Sequence, residues 1–154
     1  MRYIYIAALL LFTSNISAQT GFNHLTAKGG VTYEGAFNFE IGFEMNKKYF
    51  NNWSIFFSGY NQELDNGNQI KNWTSGVYYE PNLLASKNNL LNFKFGTSLG
   101  TNENDFIIDA IAGIEYNYAF SDKMKFTVFF KNNYMINSDV NFRHALLIGF
   151  KHRL

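Results

Sequence analysis

Phe37-Asn38-Phe39-Glu40-Ile41-Gly42-Phe43-Glu44-Met45-Asn46 is the stretch that decides the fold. Every odd position is large and apolar, and every even one is polar or glycine. Side chains of a β-strand point alternately to its two faces, so this run reads as one strand with an apolar face and a polar face. The same period of two recurs down the chain. Leu91, Phe93, Phe95 and Leu99 alternate with Asn92, Lys94, Gly96 and Ser98. Ile108, Ala110, Ala112, Ile114, Tyr116 and Tyr118 oppose Asp109, Gly113, Glu115 and Asn117. Met124, Phe126, Val128, Phe130 and Tyr134 oppose Lys125, Thr127, Lys131 and Asn133. Phe142, Leu146, Ile148, Phe150 and Leu154 oppose Arg143, Gly149, Lys151 and Arg153. Weaker alternation near 26–34, 53–61 and 72–80 puts Trp53, Ile55, Phe57, Trp73, Val77 and Tyr79 on the apolar side.

Eight candidate strands result. Turn-forming residues separate them: Asn46-Lys47-Lys48, Asp65-Asn66-Gly67-Asn68, Pro81-Asn82 with 86–89, Thr101 to Asp105, Ser121-Asp122-Lys123 and Asn137-Ser138-Asp139. Strands of roughly 9–11 residues suit a tilted membrane crossing, whereas soluble strands are nearer 5–6. The pattern predicts an all-β protein, an eight-stranded antiparallel transmembrane β-barrel of the outer-membrane type.

The chain of 154 residues is long enough for one domain, and its formal net charge of +1 gives no reason to expect a direct nucleic-acid partner. Charged residues are only 16% and aromatics 19%, most of them the strand-forming Tyr and Phe. With no cysteine there is no disulfide, thiolate metal site or lipoprotein anchor. Arg2, the apolar run Ile4 to Phe12 and Ile16-Ser17-Ala18 have the order of a signal peptide with its cleavage site. The run is shorter than the roughly 18 residues that a spanning helix needs. The expected organisation is a signal peptide over 1–18 and a barrel domain over 19–154, exported through the periplasm to the outer membrane.

A lipocalin-like soluble barrel also alternates, but with its apolar face inward. Glycine placement separates the two. Gly30, Gly42, Gly76, Gly96, Gly100, Gly113 and Gly149 share the polar face, with Gly29 and Gly59 as exceptions. Glycine serves where space is short, which is the inside of a narrow barrel. The polar face is therefore expected to be the lumen and the apolar face to meet outer-membrane lipid. Glu40, Glu44, Glu80, Asp109 and Glu115 would then be plugged against Lys94, Lys125, Lys131, Arg143 and Lys151, leaving no open pore. Tyr33, Trp53, Trp73, Tyr79, Tyr116, Tyr118, Tyr134 and Phe142 lie near strand ends, as interfacial girdles do. The ending at Leu154, with Gly149 five residues before it, is similar to the C-terminal strand signal read by the barrel-assembly machinery, except for His152 at a usually apolar position. An even strand number puts both termini on the periplasmic side and the polar segment from Asn61 to Lys71 on the outside.

Residue types that carry chemistry are sparse. His24, His144 and His152 are spread too far apart for one metal site; His144 and His152 alone lie some 26 Å apart at about 3.3 Å per strand residue. Some eight-stranded barrels are lipid-modifying enzymes with a His-Ser-Asp/Glu arrangement at the membrane interface. His144 with Ser138 and Asp139 is the best such candidate, against the plainer reading of 137–139 as a turn. The carboxylate pairs Glu40/Glu44 and Asp109/Glu115 are better explained as lysine partners than as acid–base catalysts. The sequons at Asn52 and Asn72 fall at strand starts and are read as chance. The expected catalytic, cofactor-binding and metal residues are none.

The run from Gly113-Ile114-Glu115 through Ser121-Asp122-Lys123, then Phe142-Arg143-His144 and Gly149-Phe150-Lys151, resembles the TraO conjugal transfer proteins of Bacteroides-type conjugative transposons. Trp53 through Gly76-Val77-Tyr78-Tyr79 and Phe93 to Gly100 fit the same strand order. The resemblance covers most of the mature chain, with a shorter segment over 21–37, and brings no catalytic residues with it. It implies a non-enzymatic outer-membrane component of a conjugative DNA-transfer apparatus, whose partners are other envelope transfer proteins. The other readings are a stand-alone barrel for adhesion or envelope integrity and an interfacial lipid-modifying enzyme.

Overall fold

Alternation becomes a closed wall in the computed structural model, which describes residues 22–46, 51–63, 69–102, 105–138 and 140–154. The expected signal peptide and the turn residues Lys47, Lys48 and 65–68 lie outside these. The strands are β1 (His24–Thr32), β2 (Phe37–Asn46), β3 (Asn52–Glu63), β4 (Gln69–Glu80), β5 (Asn82–Ala85), β6 (Asn89–Thr101), β7 (Phe106–Ala119), β8 (Met124–Ile136) and β9 (Phe142–Arg153). All pair antiparallel in the order β4-β3-β2-β1-β9-β8-β7-β6-β5. Pairing of Trp73 to Tyr79 with Phe95 to Thr101 joins β4 to β6 and closes the sheet. Closure satisfies every stave on both edges, which is what lets strands cross lipid.

Eight staves make the barrel; β5 is the continuation of β4 past Pro81. The reading of Pro81-Asn82 as a turn is thereby corrected. Tyr79 faces Phe95 and Asn82 faces Asn92, so the register runs through the proline unchanged before a bulge at Leu83. Proline has no N–H to give, but its carbonyl still accepts from Phe93 N–H at 3.0 Å. The side-chain oxygen of Asn51 takes the Asn82 N–H at 3.1 Å on the other edge. The chain turns only at 86–88, where Ser86 N–H donates to the Asn89 carbonyl. The first strand also sits two residues earlier than its weak alternation suggests. Tyr33 falls in the β1–β2 turn, which needs the left-handed backbone of Gly35, φ 79°.

The polar face is inside. Lys28, Glu40, Glu44, Glu80, Lys94, Asp109, Glu115, Lys131, Arg143 and Lys151 are all buried, while Leu25, Ile41, Ile55, Phe95, Ile114, Ile148 and Phe150 are exposed. A side chain added at Gly30, Gly76, Gly96, Gly100, Gly113 or Gly149 would come within 1.9–2.2 Å of a carbonyl oxygen on the next strand. These glycines line a wall that coils too tightly inward for any Cβ. Gly29 and Gly59 are the outward exceptions, and Gly59 is covered by the rings of Phe39 and Trp73.

Candidate functional site

The lumen is filled from the wall inward. Three rings that the alternation pattern did not single out occupy its middle: Phe56, Tyr78 and Phe129. Phe56 stacks on Tyr78 with centroids 4.1 Å apart, and Phe129 meets Tyr78 edge-on at 6.0 Å. They pack with Ile111, Ala145 and Leu147. The glycines make room for them, since an atom of Tyr78 lies 2.9 Å from the position a Gly96 Cβ would take, and one of Phe129 lies 2.7 Å from that of Gly113.

Around this aromatic layer runs one continuous ion network. Lys28 bridges Glu40 at 2.7 Å and Glu115 at 3.1 Å. Glu40 also takes Lys131 at 3.0 Å and the Tyr78 hydroxyl at 2.8 Å. Glu115 also takes Lys94 at 3.1 Å and Lys151 at 2.5 Å. Lys94 returns to Glu80 at 2.9 Å, and Lys151 pairs with Glu44. The lysine stems and ammonium groups lie over the rings: Lys28 Nζ is 4.7 Å from the Phe129 centroid, and Lys94 Nζ is 4.7 Å from that of Tyr78. The ten buried charges named above divide into five cations and five anions. Burial of that many charges is tolerable only because each has partners.

Most residues expected in the plug take part in it, buried Arg143 included, with Asp109 and Lys125 as the two corrections. Asp109 has no lysine within ion-pair distance among the described residues; its carboxylate accepts from Ser98 Oγ at 3.2 Å and from the Asn133 amide at 2.5 Å. Lys125 is at the mouth, directly across from Lys151, with no carboxylate within ion-pair distance among the described residues. Arg143 stands over the Tyr60 ring at 5.1 Å. Lys28 was missed because its outward neighbours Ala27 and Gly29 make no apolar stripe; its spacing of two from inward Gly30 carried the signal.

Glu44, Glu80 and Glu115 bring carboxylate oxygens within 4.8 Å of one another, as a metal site would. The space among them holds Lys151 Nζ, a cation already paired to Glu44 and Glu115. His24 opens β1 rather than preceding it and lies inside, Nδ1 3.6 Å from Glu44. His152 points outward, Nδ1 3.2 Å from Met124 Sδ. The His144-Ser138-Asp139 candidate is split. His144 is on the outer surface with Nδ1 2.7 Å from the Asn132 side chain, while Ser138 Oγ accepts from the inward amide of Asn72 at 3.3 Å. Asp139 lies outside the described residues. Asn52 and Asn72, the sequon asparagines, are both buried in the lumen.

The girdle residues fall at the two ends of the outer face. Trp53, Tyr79, Tyr116 and Tyr118 ring the end that holds the chain terminus; Tyr33, Trp73, Tyr134 and Phe142 ring the other. Trp53 and Tyr79 touch with centroids 5.0 Å apart, as do Tyr134 and Phe142 at 4.8 Å. A closed, plugged eight-stranded barrel with an apolar outer belt between aromatic rings defines the small outer-membrane-type barrels.

Solved structures bear out that class. The chain is similar to the outer-membrane protein Ail of Yersinia pestis, with TM-score 0.58 at 10% identity over 87% of this chain and 99% of that one. It is similar to the outer-membrane enzyme PagL, with TM-score 0.57 at 11% identity over 85% and 99%. It is similar to Neisserial surface protein A, with TM-score 0.54 at 10% identity over 86% and 95%. No protein-family model and no curated protein matches the chain.

Proposed function

We propose that this chain is a non-enzymatic barrel of the outer membrane that works by protein–protein contacts, as a component of a conjugative DNA-transfer apparatus. The sealed lumen carries the reading. Paired charges and the stacked rings of Phe56, Tyr78 and Phe129 occupy the axis, so nothing is conducted through the barrel, and the surfaces left to act are its rims and outer wall. The apolar belt calls for lipid, and the leader over 1–18 accounts for export. The C-terminal strand β9 is what the assembly machinery would receive. The resemblance carried by Gly113 to Lys123, Phe142-Arg143-His144 and Gly149-Phe150-Lys151 supplies the particular apparatus.

The test is made in the native host. Recovery in the outer membrane, with a gel shift on boiling, cross-links to envelope transfer proteins and a fall in transfer frequency on deletion are the expected results. Unchanged transfer frequency overturns the conjugation role. The non-enzymatic part has its own check, because His144→Ala is expected to leave lipid A composition unchanged. Loss of a modification in that variant would make the barrel an enzyme.

A further inference from the structure

The two rims differ in charge, although the lumen between them is balanced. At the terminus end the described residues carry Lys87, Lys123, Lys125 and Arg153 against Asp122. At the far end they carry Glu34, Glu63 and Asp105 against Lys71. The connections add to this by sequence: Lys47 and Lys48 fall between β2 and β3, and Asp65, Glu103 and Asp139 in connections of the far end.

The cationic end also has a cavity. It holds about 500 Å³ and is lined by Ala85, Ser86, Lys87, Asn88, Leu90, Ala119 and Lys125. On strands β6, β7 and β8 its lining residues Leu90, Ala119 and Lys125 share the inward parity, so it is the mouth of the lumen. One step deeper on the same wall stand Asn117 and Thr127, cross-strand neighbours. Asn117 is 1% exposed, yet among the described residues neither its side-chain nitrogen nor its oxygen has a partner, and the Thr127 hydroxyl likewise has none. A buried amide without partners costs free energy until something meets it. Lys125 faces Lys151, whose ammonium Glu44 and Glu115 already hold, so the pair is a like-charge contact across strands. Both features are relieved by the same kind of guest.

That guest must bring negative charge for Lys87 and Lys125, and both a donor and an acceptor for Asn117. A phosphodiester brings the charge but no donor for Asn117 Oδ1. A peptide brings both, because its backbone offers an N–H and a C=O to the side-chain amide while its carboxylates meet the lysines. We propose that the terminus-side mouth is a docking site for an extended acidic peptide segment of a periplasmic protein. This rests on the protein-contact reading above and names the surface and chemistry of one such contact.

The experiment uses the mature chain folded in detergent micelles and a fluorescent, end-capped peptide of alternating aspartate and glycine. Saturable binding by anisotropy that weakens as salt rises is expected. Lys125→Gln and Lys87→Gln should each weaken it about tenfold, the worth of one charge-assisted hydrogen bond. Asn117→Ala should weaken it as well, which diffuse attraction to a cationic rim would not produce. None of the three side chains has a salt bridge or side-chain hydrogen-bond partner to lose among the described residues, and a retained gel shift on boiling confirms that each variant folds. Equal binding of the asparagine-for-aspartate peptide overturns the proposal, as does indifference to Asn117→Ala. Displacement by millimolar inorganic phosphate, or by nanodiscs containing phosphatidylglycerol but not by neutral ones, reassigns the mouth to phosphate groups and overturns it too. The broader reading fails separately, when the barrel in its host cross-links to no envelope protein by any surface.

Discussion

Lys28 shows what a single side chain does in this lumen. Its ammonium joins Glu40 to Glu115, and so joins the two halves of the ion network. Removing one partner of a buried pair leaves charge uncompensated where water cannot reach. Lys28→Ala is expected to destabilise the barrel by about 3–5 kcal/mol in urea unfolding from lipid vesicles. Glycines give the complementary case. A Cβ at Gly149 would sit 2.0 Å from the Ala27 carbonyl oxygen, so the neighbouring backbone itself must move. Gly149→Ala is expected to cost about 3 kcal/mol or to block closure, seen as loss of the gel shift on boiling. At outward Gly29 the nearest atom is a Phe37 ring carbon at 3.7 Å, an ordinary contact. Gly29→Ala should stay within about 0.5 kcal/mol of the parent.

On the scale of the strand, direction is the controlling variable. In β9 the inward residues Arg143, Ala145, Leu147 and Lys151 are buried while Leu146, Ile148 and Phe150, between and beside them, are exposed. Charge is thus tolerated at one parity and excluded at the other. Ile148→Lys, near the middle of β9 and facing out, should destabilise the folded barrel in lipid vesicles by about 2–4 kcal/mol. The same change at a rim position should cost far less. The β4–β5 join is a second element-level feature. Pro81 interrupts the run of N–H groups, and Asn51 holds the Asn82 N–H from the flank where β3 has stopped. Asn51→Ala should therefore speed hydrogen exchange at Asn82 without altering exchange in β7 and β8.

For the whole molecule, the consequence of eight staves is a bore that side chains can fill. Stacked rings and paired charges fill it here, and a planar bilayer carrying the purified barrel should show no stepwise conductance. Stable channels in that measurement would mean that the plug opens. The belt between the aromatic rings has no charged cover of its own, so the barrel is expected to aggregate when detergent is withdrawn, seen as loss of the monomer peak in size-exclusion chromatography.

Parity was legible in the sequence because one residue's advance along a strand reverses its direction, and lipid keeps charged side chains off the outer belt. From parity alone came the staves, the belt, the inward glycines and most of the plug, Glu40, Glu44, Glu80, Glu115, Lys94, Lys131 and Lys151 among them. Which inward residues meet is a different matter. It depends on the stagger between strands and on closure of β4 against β6, neither of which is a local property. The bridge through Lys28, the seating of Tyr78 and Phe129 in the space left by Gly96 and Gly113, the isolation of Lys125 and Asn117 at the mouth, and the separation of His144 from Ser138 were decided only when the wall closed. Parity says which way a side chain points; the closed barrel brings residues from distant strands to one height on its axis.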